Sequence, residues 1–233
     1  MDGLSVAEKI KAINNRIASA CAKSRHQQKG VTLVAVSKFQ PSQKIRQAIL
    51  AKQFLFAENY SQEAQLKQAE LKAEAIEWHF IGNIQQNKIK NMVGNFSLIQ
   101  SVDKFEQIEK IGKIAVEKSI GQKILLEVNI GCEDSKSGMP LSHATDVYRK
   151  ALDVPNVIVC GLMCMPPLDR TEQMLRKDFG EMKSVFEEIK SCIATESFKI
   201  LSMGTSADFE VAIEEGSTMV RIGTEIFGSR ESK

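Results

Sequence analysis

No run of this chain is apolar for long enough to cross a bilayer. Its first twenty residues, MDGLSVAEKIKAINNRIASA, lack the charged-then-apolar layout of a secretion signal. Neither a membrane role nor export is expected, and the expected location is cytoplasmic. Charge of one sign is not concentrated anywhere. Lys and Arg number 31 and Asp and Glu 29, and along the helical stretches lysines alternate with acids. Without a basic block, nucleic acids and anionic lipid surfaces are not expected partners. The five cysteines are odd in number and have no zinc-like spacing, so reduced thiols are expected and no metal site is. Cys160 and Cys164 stand in an apolar strand-like run and read as small packing residues. No linker, low-complexity tract or repeat divides the chain, which points to a single domain over residues 1–233.

Two periods alternate from end to end. Strand-like runs are VTLVAVS (31–37), QFLFAEN (53–59), EWHFIG (77–82), FSLIQSV (96–102), KILLEVNI (123–130), VIVCGLMCM (157–165), FKILSMG (198–204) and TMVRIGT (218–224). Helical patterns lie between them. SQKIRQAILAK places Ser42 as an N-cap after Pro41. VDKFEQIEKIGKIAVEK places Asp103 as a cap, with Glu106 at capping-box spacing. Eight β runs separated by seven helical crossovers mean parallel strands, and right-handed crossovers in such a series close into a (β/α)8 TIM-type barrel. An open doubly wound sheet is the alternative, but no G-x-G-x-x-G turn follows the first strand. An amphipathic helix over about residues 4–28 precedes strand one, and the chain ends soon after strand eight. That helix is therefore expected to cover the place of an eighth helix.

Chemistry in such barrels gathers at the C-terminal ends of the strands. One lysine, Lys38, ends a strand run directly. A lysine at a barrel mouth can simply reach for water, or burial can adapt it to form a Schiff base with a carbonyl. The last two strands favour the second reading. They end in small, Gly-containing turns, SMGTSAD (202–208) and RIGT (221–224), of the kind that bind phosphate in barrels. A helix starting near Ser206 would offer a hydroxyl and an N-terminal N–H, and Gly223 would let the backbone approach closely. A carbonyl compound carrying a phosphate, held across the mouth from a lysine, describes pyridoxal phosphate. It equally describes the sugar-phosphate substrate of a lysine-dependent aldolase.

The stretches AVSKFQP, AENYSQE, EWHFIGNIQQNK, VNIGCEDSKSG, GLMCMPP and LSMGTSADFEVAIEEGSTMVRIGTEIFG, in that order from Val31 to Gly228, resemble the pyridoxal phosphate homeostasis proteins, which are similar to the barrel domain of alanine racemase. The resemblance implies that Lys38 holds pyridoxal phosphate as a Schiff base. It implies that Ser206 and the backbone at Gly223 and Thr224 bind the phosphate, and that Arg221 faces the pyridine nitrogen. Asn59, Ser202 and Met203 are expected at the cofactor. His79 is expected as a core histidine satisfied by backbone rather than a cofactor contact, and Lys136 as a solvated loop residue. The chain departs from the family pattern at Ala57 and Phe39, and Phe39 is expected beside the cofactor.

Two function classes follow. One is a carrier that buffers pyridoxal phosphate or delivers it to apo-forms of enzymes that use it, a monomer with no catalytic residue of its own. The other is an amino-acid racemase. Racemisation needs an acid–base group on each face of the cofactor. Lys38 serves one face. The resemblance supplies the second from a further domain that is not expected in this chain, and neither Tyr60 nor Tyr148 is a natural substitute. The carrier is the expected function.

Overall fold

The computed structural model describes residues 3–26, 30–131, 137–167, 169–193 and 195–228. Lys136 lies outside them. Eight strands, β1 (Thr32–Val36), β2 (Leu55–Glu58), β3 (Glu77–Phe80), β4 (Leu98–Val102), β5 (Gln122–Val128), β6 (Val157–Cys164), β7 (Ile200–Ser202) and β8 (Met219–Ile222), pair in sequence order, all parallel, and β8 returns to β1 to close the barrel. All eight fall within the runs expected from the hydrophobic pattern, to within one residue at a single end.

The crossovers are less uniform than the pattern implied. Between them run α2 (Ser42–Leu50), α3 (Ser61–Glu70), α4 (Phe105–Glu117), α5 (Ala144–Ala151), α6 (Glu172–Cys192) and α7 (Phe209–Glu214). The connection from β3 to β4 carries only a 3₁₀ turn, Gln86–Asn91. Two expected caps are corrected. Pro41 is the N-cap of α2, and Ser42 is its first helical residue, whose hydroxyl donates to Glu70 instead. Lys104, not Asp103, caps α4, and Asp103 accepts a hydrogen bond from Gln107. Ser42 is drawn to a partner 28 residues away, and Asp103 to Gln107 in the first turn of its own helix.

The first helix, α1 (Val6–Lys23), begins on a true capping box between Ser5 and Glu8. Its Ile10, Ile13 and Ile17 are buried, and Arg16 bonds Glu210 of α7 and Glu225 of α8 (Thr224–Phe227), with its guanidinium over the Phe209 ring. The helix thus packs where a full eighth helix would sit, because α8 is a single turn. Among the described residues no helix is long and apolar enough to cross a membrane.

Strand side chains alternate between two cores. One lies between barrel and helices and includes Leu33, Ala35, Phe56, Phe80 and Leu201. The other fills the bore, with Val34, Val36, Ala57, Leu98, Leu125, Cys160, Met163 and Met219. Cys160 faces the bore and Cys164 the outer core, so the two thiols are packing residues on opposite sides of β6. Burial pushes the Cys164 thiol up to about 12.

Candidate functional site

The ends of β1, β2, β3, β5, β6, β7 and β8 enclose a cavity of about 380 Å³ at the C-terminal mouth of the barrel. Lys38, Asn59, Ser206, Arg221, Gly223 and Thr224 all line it. Six of the eight expected site residues therefore share one space. Their mutual placement differs from the expectation in one respect. β8 pairs directly with β1, Val34 lying beside Arg221 and Ala35 beside Ile222. The Gly223–Thr224 turn is therefore the immediate neighbour of Lys38 and not across the mouth from it.

The turn that presents Lys38 is held from four sides. The Ser37 amide donates to Ala57 of β2 at 3.0 Å, and the Gln40 amide closes a β-turn onto the Ser37 carbonyl at 3.0 Å. Phe39 takes a left-handed φ of 61°, as the third residue of such a turn can require. Its amide donates to Glu63 Oε1 at 2.6 Å. Below the turn, Lys67 Nζ donates to the Ser37 carbonyl, Glu58 Oε1 and Glu63 Oε1 at 2.6, 2.7 and 2.7 Å. Glu58 is wholly buried and also accepts from the Ser37 hydroxyl at 2.6 Å; burial pushes its carboxyl up against the opposing pull of Lys67. A buried ion pair of this kind is a poor source of net stability, and among the described residues Glu58 Oε2 is buried without a hydrogen-bond partner, but the three bonds of Lys67 Nζ fix the geometry of the turn. The Phe39 ring is turned away from the cavity onto the Tyr60 ring, with centroids 5.1 Å apart, which corrects the expectation that it sits beside the cofactor. Ala57 packs in the bore beneath.

Ser206 lies in the turn between β7 and α7. That helix begins at Phe209, three residues later than expected, because Asp208 Oδ1 accepts from both the amide and the hydroxyl of Thr205 and so tightens the turn first. The Ser206 hydroxyl has no hydrogen-bond partner among the described residues and faces the cavity. Gly223 is not in a left-handed conformation; a Cβ there would lie 3.1 Å from the Val36 carbonyl oxygen, so the close packing of β8 on β1 favours glycine.

Arg221 is 5% exposed. Its Nη1 donates to the carbonyl and the hydroxyl of Ser202 at 2.9 and 2.6 Å, and its Nη2 to the Cys164 carbonyl at 2.9 Å. A guanidinium has five N–H groups and no acceptor. Three are taken by the protein among the described residues, leaving Nε–H and one hydrogen of Nη2.

Two expected contacts are not made. Ser202 is fully buried under the cavity floor, where it holds Arg221 and not a ligand. Met203 points outward into the core between barrel and helices, and Met163 and Met165 line the cavity in its place. His79 is a core residue, but side chains and not backbone satisfy it: Gln100 lies 2.9 Å from Nδ1 and Glu77 3.3 Å from Nε2.

Sequence reasoning missed Glu127. It lines the cavity at 9% exposure, with no side-chain hydrogen bond among the described residues. Burial raises its carboxyl to about 7, helped by the charge of Asp103 and opposed by Arg221. The signal was present: a lone acid inside KILLEVNI, two residues on from the inward-facing Leu125.

The model of the alanine racemase N-terminal domain matches residues 9–231. The pyridoxal phosphate homeostasis protein of Aquifex aeolicus is 36% identical over 228 residues, covering 98% of this chain and all of that one. That of Escherichia coli K12 is 32% identical over 229 residues and covers 97% of each. Among solved structures, PipY of Synechococcus elongatus with PLP bound superposes with a TM-score of 0.85 at 31% identity, covering 96% of this chain and all of PipY. An alanine racemase of Clostridium difficile, at 14% identity and a TM-score of 0.74, shares the fold over 94% of this chain and 59% of its own.

Proposed function

The chain belongs to the pyridoxal phosphate homeostasis family, built on the alanine racemase N-terminal barrel, and from that premise we propose that it binds pyridoxal phosphate at the barrel mouth and buffers or delivers it inside the cell. One observation carries this reading. A single cavity of about 380 Å³, of ligand-pocket size, is lined at once by a strand-end lysine, a buried arginine with free donors, and two small polar turns.

The residues present fit the cofactor. Lys38 supplies the amine that an aldehyde condenses with. The unpartnered Ser206 hydroxyl, with Gly223 and Thr224 beside Lys38, supplies the phosphate end. The two remaining N–H groups of Arg221 supply donors to a ring nitrogen. They match an unprotonated nitrogen and oppose a protonated one, since arginine only donates. The bound group supplies electrophilic carbonyl chemistry, and an unprotonated ring keeps it a weak electron sink. Among the described residues Lys38 is the sole lysine in the cavity lining, and neither Tyr60 nor Tyr148 lines it. That arrangement favours holding and exchanging the cofactor over turnover. Apo-forms of pyridoxal phosphate enzymes are the recipients we propose for a cytoplasmic, monomeric carrier.

The racemase reading is favoured by one group. Glu127, a carboxyl held near neutrality in the same cavity, is of the kind that general acid–base catalysis uses. The binding reading is tested by loading the protein with pyridoxal phosphate, reducing with borohydride and mapping the adduct by peptide mass. The adduct falls on Lys38 if the reading holds. An adduct confined to other lysines overturns it.

A further inference from the structure

Below the cavity the bore is not wholly apolar. Arg221 of β8, Ser202 of β7, Gln100 of β4 and His79 of β3 are buried there at 5% exposure or less, and Glu77 lies at the N-terminal end of the barrel, where it reaches solvent. Arg221 Nη1 is 2.6 Å from Ser202 Oγ, which is 2.8 Å from Gln100 Oε1. Gln100 Nε2 is 2.9 Å from His79 Nδ1, and His79 Nε2 is 3.3 Å from Glu77 Oε1.

Chemistry at the two ends gives this chain a direction. A guanidinium can only donate, so Ser202 Oγ accepts from it and passes its own hydrogen to Gln100 Oε1. That choice puts the amide nitrogen toward His79 Nδ1, which must then accept. The imidazole proton sits on Nε2 and points at Glu77, and a carboxylate can only accept. With the amide and the ring reversed, the Ser202 hydroxyl would receive two donors, and a bare Nε2 would oppose a carboxylate. Ser97 Oγ donates to the same Glu77 oxygen at 3.0 Å and fixes the far end. The second Gln100 hydrogen meets Met219 Sδ at 3.5 Å.

We propose that Ser202, Gln100 and His79 are positioning residues for Arg221, a one-way hydrogen-bond chain through the barrel bore. It ends on Glu77 and aims the remaining guanidinium donors at the ring nitrogen of a cofactor held by Lys38. This rests on the reading of the cavity as a pyridoxal phosphate site. The apolar remainder of the bore could pack Arg221 but could not orient it. Without the Ser202 hydroxyl, one Nη1 hydrogen loses its partner and the guanidinium is free to rotate about the two carbonyls that remain.

The test combines two readouts. The first is the tautomer of His79, read by ¹⁵N NMR on the full chain without cofactor. The neutral Nε2–H form is expected, and Gln100→Leu is expected to abolish its fixed assignment. The Nδ1–H form in the wild type would overturn the chain. The second is the absorbance band and dissociation constant of added pyridoxal phosphate in Ser202→Ala and Gln100→Leu. Loss of one or two hydrogen bonds in the network is expected to weaken binding roughly 2- to 10-fold and move the band, while borohydride still places the adduct on Lys38. Unchanged band and affinity in Ser202→Ala, a variant small enough to fold, would overturn the positioning role. If the wild type itself forms no Lys38 adduct, the cofactor reading fails and takes this role with it. The His79 tautomer then still reports separately whether the chain of hydrogen bonds exists.

Discussion

The ammonium of Lys67 donates a 2.6 Å hydrogen bond to the carbonyl oxygen of Ser37, the residue that precedes Lys38. A helix residue thereby pins the strand end from which the candidate Schiff-base lysine emerges. Lys67 is 6% exposed and Glu58 wholly buried, so removing the cation strands a buried carboxylate. Lys67→Met is expected to cost about 3–5 kcal/mol in urea unfolding, and Lys67→Met with Glu58→Gln to regain most of it. Both variants are expected to give less borohydride-trapped adduct at Lys38 than the wild type at limiting pyridoxal phosphate. Equal stability of wild type and Lys67→Met would mean that the pair does not hold this turn.

Glu127 makes folding depend on pH. Its folded pKa, about 7, lies above the ordinary 4.5, so the folded state holds the proton more tightly. The resulting stability is fully present below 4.5 and lost as pH rises through 7. At about 1.4 kcal/mol per unit, the loss is on the order of 3–4 kcal/mol at most. Measured at pH 5 and pH 8, the wild type is expected to lose stability relative to Glu127→Gln, which carries no titrating group. Parallel pH profiles for the two proteins would show that Glu127 is already ionised at pH 5.

Gly82 lets two strand ends meet. A Cβ at that position would lie 1.9 Å from the backbone oxygen of Asn59, and backbone cannot swing aside. Gly82→Ala is expected to cost about 1–3 kcal/mol and to displace Asn59 from the cavity wall, weakening pyridoxal phosphate binding. Calorimetric titration of the variant checks this, and full affinity would show that Asn59 does not contribute to the site.

Arg221→Leu removes the donors aimed at the cavity and leaves the Ser202 and Cys164 carbonyls without their bonds to it. A stability loss of roughly 1–3 kcal/mol is expected from the unsatisfied groups, with a shifted cofactor absorbance band. A band identical to the wild type would place the guanidinium away from the ring.

Carrier and racemase separate on turnover. Loaded protein incubated with L-alanine is expected to produce no D-alanine or keto acid at enzymatic rates, and to restore activity to an apo-form of a pyridoxal phosphate enzyme. Turnover above about 1 s⁻¹ that disappears in Glu127→Gln would establish the racemase reading with Glu127 as the second acid–base group. Reactivation no faster than passive cofactor release would leave buffering and remove delivery.

The alternation of β-branched runs with helical stretches determined the barrel, because parallel strands buried on both faces leave a periodic record in the residues themselves. It also put Lys38 at the tip of β1 and the small turns after β7 and β8, since strand ends and Gly-rich turns are local features. The facing of each side chain was another matter. Inward and outward alternate with a period of two, so one residue of register decides whether a position faces the bore or the helices. The register also shifts along β4–β5 and β5–β6. For that reason Met203 fell in the outer core while Met163 lined the cavity, and Glu127 passed unnoticed. Partners distant in sequence were likewise beyond local reading. Lys67 reaches Ser37 across 30 residues, and Ser202 meets Gln100 across 102. Only closure of the barrel, with β8 beside β1, brings Arg221 and the Gly223–Thr224 turn to the lysine, because that neighbourhood exists when all eight strands are in place and in no shorter segment of the chain.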